Sequence, residues 1–117
     1  MKVSYENNNP IGYFALLDSG ADECIFQAEI AKLIGIKDIT TGIKRTTFGI
    51  VDGVEGEYFL HKVKLNVGGW NYDMEVGFMP KISKMGYGVL GQKGFFDIFI
   101  VKFDKKKEDI ELKEHIN

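Results

Sequence analysis

The sequence is poor in cysteine, in proline and in net charge. Its 117 residues include one cysteine and two prolines, and 15 basic against 17 acidic side chains leave a net charge of −2. A single cysteine excludes a disulfide within the chain and fits a reducing compartment. The balanced charge argues against a nucleic-acid-binding protein, because such proteins usually need a basic face to neutralise phosphates.

Long hydrophobic segments are also missing. No apolar run approaches the roughly 18 residues of a membrane span, and the first nine residues lack the apolar core of a signal peptide. We therefore expect a cytoplasmic protein that does not contact membranes. At about 100–150 residues per domain, residues 1–117 are expected to form a single domain.

Glycine, in contrast, is abundant, with 14 of the 117 residues against a usual share of about 7%. Many glycines with few prolines predict tight turns between strands. Apolar and polar residues alternate at 63–67, 72–78 and 99–103, which is typical of half-buried strands. Helical spacing of apolar residues before Gly35 predicts a helix at about 26–34. The expected fold class is therefore all-β, mainly strands with one or two short helices.

Two further segments are predicted to be extended. The compact apolar run at 13–17 is interpreted as a buried strand that stops at Asp18. Residues 46–50 and 57–60 are β-prone and flank a segment with two glycines. This pattern predicts a β-hairpin with its tip at 51–56.

Three features have both a functional and an ordinary structural interpretation. Residues 86–91 match G-x-G-x-x-G, but neither a buried strand before them nor a long helix after them is predicted, which disfavours a dinucleotide site. His61 and His115 are isolated, so they give no metal-ligand spacing, and His61 is expected at the surface or half-buried. Cys24 has apolar neighbours and is expected to be buried, although a Cys24–His61 nucleophile pair is conceivable. We expect neither a metal nor a cofactor.

The segment Asp18-Ser19-Gly20-Ala21 is a stronger functional candidate. A carboxylate directly after an apolar strand is costly unless hydrogen bonds satisfy it. A tight turn supplies the backbone amides and hydroxyls that can do so. Taken alone, these four residues are equally compatible with a turn that merely ends a strand.

The wider pattern resembles the retropepsin-like aspartic proteases, which are the retroviral proteases and their bacterial and archaeal relatives. Residues 16–21, Leu-Leu-Asp-Ser-Gly-Ala, are similar to the apolar strand and D-[ST]-G-A motif of that family. Val89-Leu90-Gly91 is similar to its apolar-apolar-Gly element, which precedes a short helix, and residues 89–97 look especially like bacterial members. The resemblance spans about residues 11–104. It implies a closed, single-lobed acid-protease β-barrel in which the hairpin at 46–60 is the flap.

The roles that this resemblance implies fall into three groups. Asp18 would be the catalytic aspartate, in an active-site loop that continues as Ser19, Gly20 and Ala21. Substrate contacts would come from Asp22 and from the flap tip, which comprises Val51, Asp52, Gly53 and Val54. A brace beneath the active-site loop would consist of Val89, Leu90 and Gly91. Retroviral members often have arginine after the brace glycine, where this chain has Gln92.

Aspartic-protease chemistry needs two carboxylates, but the chain contains one Asp-Ser-Gly. The resemblance therefore implies a homodimer with two Asp18 residues on a twofold axis. Such a dimer would be an aspartic endopeptidase that hydrolyses peptide or protein substrates. Two alternatives stay open: a non-catalytic peptide-binding or assembly domain on the same fold, and an unrelated small β-domain in which Asp18 is only a turn residue.

Overall fold

The computed structural model describes residues 1–51, 54–80, 82 and 87–115, with the backbone alone for 47–51 and 54–55. This part of the chain is mainly β, as predicted. Its strands are β1 (Lys2–Ser4), β2 (Ile11–Gly12), β3 (Ala15–Leu17), β4 (Ile25–Gln27), β5 (Ile43–Val51), β6 (Val54–Val67), β7 (Trp70–Met79), β8 (Gly88–Leu90), β9 (Phe99–Asp104) and β10 (Asp109–Glu114). Its helices are α1 (Ala28–Leu33), α2 (Phe95–Ile98) and a 3₁₀ turn (Ile39–Thr41). None of these helices is long and apolar enough to cross a membrane.

Eight strands form one sheet that curls into a half-barrel. Their order is β2-β1-β6-β7-β4-β8-β3, and β5 pairs with the other part of β6. Two neighbouring pairs, β3 with β8 and β4 with β7, are parallel. Strands β9 and β10 form a separate two-stranded ribbon.

Two antiparallel strand pairs lie in the middle of the chain, where the sequence predicts strands. Strands β6 and β7 meet at Gly68 and Gly69, whose φ values of 61° and 89° are easily adopted only by glycine. Strands β5 and β6 pair from Ile43 opposite Leu60 as far as Val51 opposite Val54. The second hairpin is longer than predicted, since both strands extend beyond the expected segments.

The core lies against the concave side of these strands and contains the alternating apolar residues that the sequence predicts. Val63 and Leu65 of β6 and Met74 and Val76 of β7 are buried. The lysines on either side of Val63, at positions 62 and 64, are exposed. Burial of each large aliphatic side chain contributes about 1.5–3 kcal/mol. The buried hydrophobic face of the β6–β7 hairpin therefore fixes the register of the sheet.

The prediction of a helix at about 26–34 is wrong at its beginning. Helix α1 starts at Ala28, because Ile25 and Phe26 are fully buried and belong to β4, between β7 and β8. The predicted end is confirmed, since Gly35 has a φ of 102° and its N–H donates to Lys32 O (3.2 Å).

The prediction of a buried strand at 13–17 is also wrong in part. Only Ala15–Leu17 form β3, and Phe14 and Leu16 are 85% and 53% exposed. Strand β3 lies at the end of the sheet order. Because side chains alternate between the two faces of a strand, Leu16 faces solvent while Ala15 and Leu17 pack against the core.

His61 is buried at 8% exposure, in contrast to the expected surface or half-buried position. Its Nε2 lies 2.7 Å from Ile39 O, and its ring contacts the edge of Phe78. A Cβ on Gly42 would lie 2.6 Å from that nitrogen, so the missing side chain leaves the space that His61 occupies. Its role is therefore to join β6 to the 3₁₀ turn.

Candidate active site

Asp18 follows β3 directly, at the point where the chain leaves the sheet. Its N–H donates to Leu90 O of β8 (3.0 Å), which continues the parallel pairing by one residue. Asp18, Ser19 and Gly20 are all exposed. The carboxylate therefore lies at the surface, at the carboxyl end of the parallel pair β3 and β8.

Two hydrogen bonds fold residues 18–21 into a tight turn. Gly20 N–H donates to Asp18 Oδ1 (2.9 Å), and Ala21 N–H donates to Asp18 O (3.1 Å). A Cβ on Gly20 would lie 3.2 Å from Asp18 Oδ1, which is tighter than most such contacts. The turn thus holds one carboxylate oxygen with a backbone amide, and no described residue forms a hydrogen bond with the other oxygen.

The segment after β8 lies against this turn, so the structure brings together the two motifs that the sequence singled out. Gln92 N–H donates to Ala21 O (2.8 Å), and Lys93 N–H donates to Asp22 O (2.8 Å). A Cβ on Gly91 would lie 2.7 Å from Ala21 O. Because both backbones approach so closely, only glycine fits at residue 91.

Gln92 is a contributor that the sequence interpretation missed. Its side-chain Nε2 donates to Ser19 O (2.7 Å), so one residue binds the turn through both its backbone and its side chain. The only signal in the sequence is its position directly after Gly91. Where retroviral members often have a charged arginine, Gln92 has a neutral amide. That amide donates its hydrogen bond to the neutral backbone carbonyl of Ser19.

Cys24 is fully buried between the two segments, as predicted. Its sulfur accepts a hydrogen bond from Gly91 N–H (3.4 Å) and lies 3.5 Å from Lys93 O. Burial raises the pKa of the thiol, which keeps it protonated and unreactive. The thiol packs beneath the turn, whereas His61 is bonded to Ile39. The conceivable Cys24–His61 nucleophile pair gains no support from these contacts.

A charged cavity of about 400 Å³ adjoins the chain just after Asp22. Glu23 lines it together with Arg45 and Lys93, and its wall also includes Leu60, Glu75, Gly94 and Asp97. Glu23 Oε2 is buried and has no hydrogen-bond partner among the residues that the structure describes. Burial, and secondly the charge of Glu23, raise the pKa of the Tyr58 hydroxyl. Sequence reasoning did not identify Glu23 or Tyr58, because nothing in their spacing connects them.

The predicted flap residues are placed only in part. Val51 and Val54 pair at the end of the β5–β6 hairpin, whereas Asp52 and Gly53 lie outside the described residues. Gly56 lies against Met79, since a Cβ there would be 2.9 Å from the methionine methyl group. The hairpin itself is confirmed, and its contact with a substrate stays a prediction.

Other candidate sites are weaker. The G-x-G-x-x-G segment forms β8 from Gly88 to Leu90 and leads to a helix of four residues, which is too short for a dinucleotide site. Within residues 1–51, 54–80, 82 and 87–115, no group of three or more His, Cys, Asp or Glu side chains could hold a metal ion. The turn at Asp18 is therefore the candidate that geometry favours.

Comparison with protein-family models finds no match to this chain. Comparisons with curated proteins and with solved structures find none either. The resemblance to the retropepsin-like proteases therefore depends on the two sequence motifs and on the contacts between them.

Proposed function

We propose that the chain is a homodimeric aspartic endopeptidase with the closed, single-lobed barrel of the retropepsin-like proteases. The observation that carries this proposal is the contact between the Asp18 turn and the segment after β8. Hydrogen bonds from Gln92 and Lys93 fix the turn, and the carboxylate it presents is exposed. A turn that only ended a strand would not need a second motif held against it.

The proposed site is half of an active site, because one exposed carboxylate cannot act as both acid and base. In a twofold dimer, the two Asp18 carboxylates would lie about 3 Å apart and share one proton. The ionised carboxylate removes a proton from water as the water oxygen attacks the carbonyl carbon. The protonated carboxyl donates its proton to the carbonyl oxygen. As the tetrahedral intermediate collapses and the C–N bond breaks, the carboxyl that took the water proton gives it to the leaving amine. The other carboxylate takes a hydroxyl proton from the intermediate, which returns the dyad to one shared proton.

The surroundings of Asp18 suit a peptide substrate. Leu16 of β3 and Phe14, which directly precedes that strand, are exposed near Asp18 in the sequence and provide apolar surface. The β5–β6 hairpin would close over the substrate and exclude water, which strengthens electrostatic interactions at the dyad. Phe78 of β7 is fully buried in the core and therefore does not contribute to this surface.

The first test is the isosteric substitution Asp18→Asn. We expect it to reduce cleavage of unfolded polypeptides by at least about 10²-fold, the lower end of the usual contribution of an acid–base group. Fragment formation measured by mass spectrometry over a range of pH provides the readout. Wild type should give a bell-shaped profile, because activity requires one protonated and one ionised carboxyl.

Asp73→Asn is the matched control, since Asp73 is an exposed carboxylate on β7 outside the turn. Its cleavage rate should equal that of wild type. Undiminished cleavage by Asp18→Asn would contradict the proposal. Binding of peptides by wild type without any cleavage would instead favour the non-catalytic alternative.

A further inference from the structure

The charged cavity beside Glu23 is lined by two parts of the chain that the proposed function brings to a substrate. Glu23 belongs to the segment that continues from the Asp18 turn, and a β-bridge to Lys93 holds it beside the segment after β8. Arg45 of β5 and Leu60 of β6 also line the cavity, and both belong to the hairpin that would close over a peptide. A peptide held between the turn and the hairpin would therefore lie next to this cavity.

One carboxylate oxygen in the cavity lacks the partner that its burial requires. Glu23 Oε2 exposes less than 1 Å² to solvent and accepts no hydrogen bond from any described residue. A buried charged acceptor without a donor is costly, and such groups in native proteins usually have a partner. The oxygen therefore indicates a donor that arrives with a ligand.

The two cations that line the cavity do not supply this donor. Arg45 Nη1 donates to the backbone carbonyl of Lys44 (3.5 Å). In the described part of the chain, neither Arg45 nor Lys93 forms an ion pair with Glu23. Both side chains are exposed and belong to different elements. The acceptor at Glu23 consequently stays open to an external group.

The balance of charge favours a cationic ligand group over an anionic one. Three acidic and two basic side chains line the cavity: Glu23, Glu75, Asp97, Arg45 and Lys93. Asp22, directly before Glu23, adds a further negative charge to this region. Burial first, then the charge of Glu23 and more weakly that of Asp22, raise the pKa of the Tyr58 hydroxyl, so both carboxylates act on the same small region. An anion would meet an excess of like charge there.

We propose that this cavity binds a lysine or arginine side chain of the peptide substrate and that Glu23 Oε2 accepts its hydrogen bond. The inference rests on the proposed function, because a peptide between the Asp18 turn and the hairpin is what brings such a side chain to the cavity. The volume of about 400 Å³ accommodates either side chain. Its aliphatic stem can lie along Leu60 while the charged end reaches the carboxylates.

Acetylation of the substrate tests the proposal without altering the protein. Wild type is incubated with a proteome-derived peptide library, once with free and once with acetylated lysines, and mass spectrometry records the residues around each cleaved bond. We expect lysine and arginine together to be enriched about fivefold or more at one position, because a hydrogen bond between charged groups is strong. Acetylation removes the lysine charge, so it should abolish the enrichment of lysine and preserve that of arginine.

Glu23→Gln tests the acceptor itself, because it keeps the shape of the side chain and removes the charge. The enrichment of both basic residues should fall to the level of the library, with circular dichroism to verify folding. Asp73→Asn is the matched control, since Asp73 lies on the same strand as Glu75 but does not line the cavity. It should keep the wild-type preference.

Binding separates this inference from the chemistry of Asp18. The Asp18→Asn protein is titrated with a labelled decapeptide that has two central leucines and carries lysine or norleucine at each other position in turn. Fluorescence anisotropy should show a dissociation constant about tenfold lower for lysine at one position, and adding Glu23→Gln should remove this difference.

The outcomes distinguish the two proposals. Cleavage by wild type without any preference for basic residues would overturn the cavity assignment and leave the protease in place. A lysine preference in binding, without cleavage by wild type, would retain the cavity assignment and overturn the chemistry. The absence of both cleavage and preference would overturn both.

Discussion

At the scale of single residues, the two glycines nearest the site serve different purposes. Gly20 lies within the turn, where a Cβ would press on the Asp18 carboxylate. Gly91 lies beneath the turn, where a Cβ would be 2.4 Å from Glu23 O and 2.7 Å from Ala21 O. A side chain can move aside to relieve a clash, but two backbone carbonyls that hold a turn cannot do so without moving the turn.

Gly91→Ala should therefore destabilise the protein and displace the Asp18 turn. We expect a loss of about 1–3 kcal/mol in the free energy of unfolding, which is typical of overpacking. Gly12→Ala is the matched control, because a Cβ on Gly12 meets nothing within 4 Å and its φ is not positive. Urea unfolding of both variants provides the measurement. Equal stability of the two would contradict the close approach at Gly91.

At the scale of elements, Tyr13 connects the entry of β3 to β4. Its hydroxyl donates to Gln27 Oε1 and accepts from Gln27 N–H, both at 3.2 Å. Its ring packs edge-on against Phe26 at 4.9 Å between centroids. Burial is the main reason that the pKa of this hydroxyl rises from 10.0 to about 12.

This shift predicts a specific dependence of stability on pH. The folded protein holds the Tyr13 proton more tightly than the unfolded chain, so the contribution is fully present below pH 10 and is lost as the pH rises from 10 to about 12. Urea unfolding of wild type and Tyr13→Phe between pH 9 and pH 12 measures it. The stability difference between the two proteins should shrink across that range. A constant difference would contradict the raised pKa.

The elements also show what alternation and turns in a sequence can predict. The strands on either side of Gly68-Gly69 are predictable from the alternation of apolar and polar residues, because one face of that hairpin is buried and the other is exposed to solvent. Helix α1 begins later than predicted because a short apolar segment fits a buried strand and a helix equally well. Only the neighbouring strands β7 and β8 decide between them, and the local sequence does not contain that information.

In the candidate site, too, some contacts were predictable from the sequence and others depend on residues that are distant in the chain. The turn at Asp18 and the segment at Val89 were predicted to meet, because a resemblance to a whole family supplies long-range pairing. The bond from Gln92 to Ser19 could not be predicted in this way, since it depends on a residue at which the chain departs from the pattern of the retroviral proteases. The Glu23 oxygen that lacks a hydrogen-bond partner among the described residues was likewise not predictable, because burial of an atom depends on every neighbouring element.

At the scale of the whole molecule, the proposal requires two chains for one site. Mixing wild type with Asp18→Asn tests this directly, provided that the subunits exchange. In an equimolar mixture, random pairing leaves both Asp18 residues in about a quarter of the dimers. A monomeric enzyme would keep about half of its activity in the same mixture, because each wild-type chain would act alone.

The expected result is therefore a specific activity near one quarter of that of wild type at equal total concentration. Wild type mixed with Asp73→Asn controls for dilution and handling, and it should keep full activity because Asp73 lies outside the turn. Retention of half the activity would show that one Asp18 is sufficient.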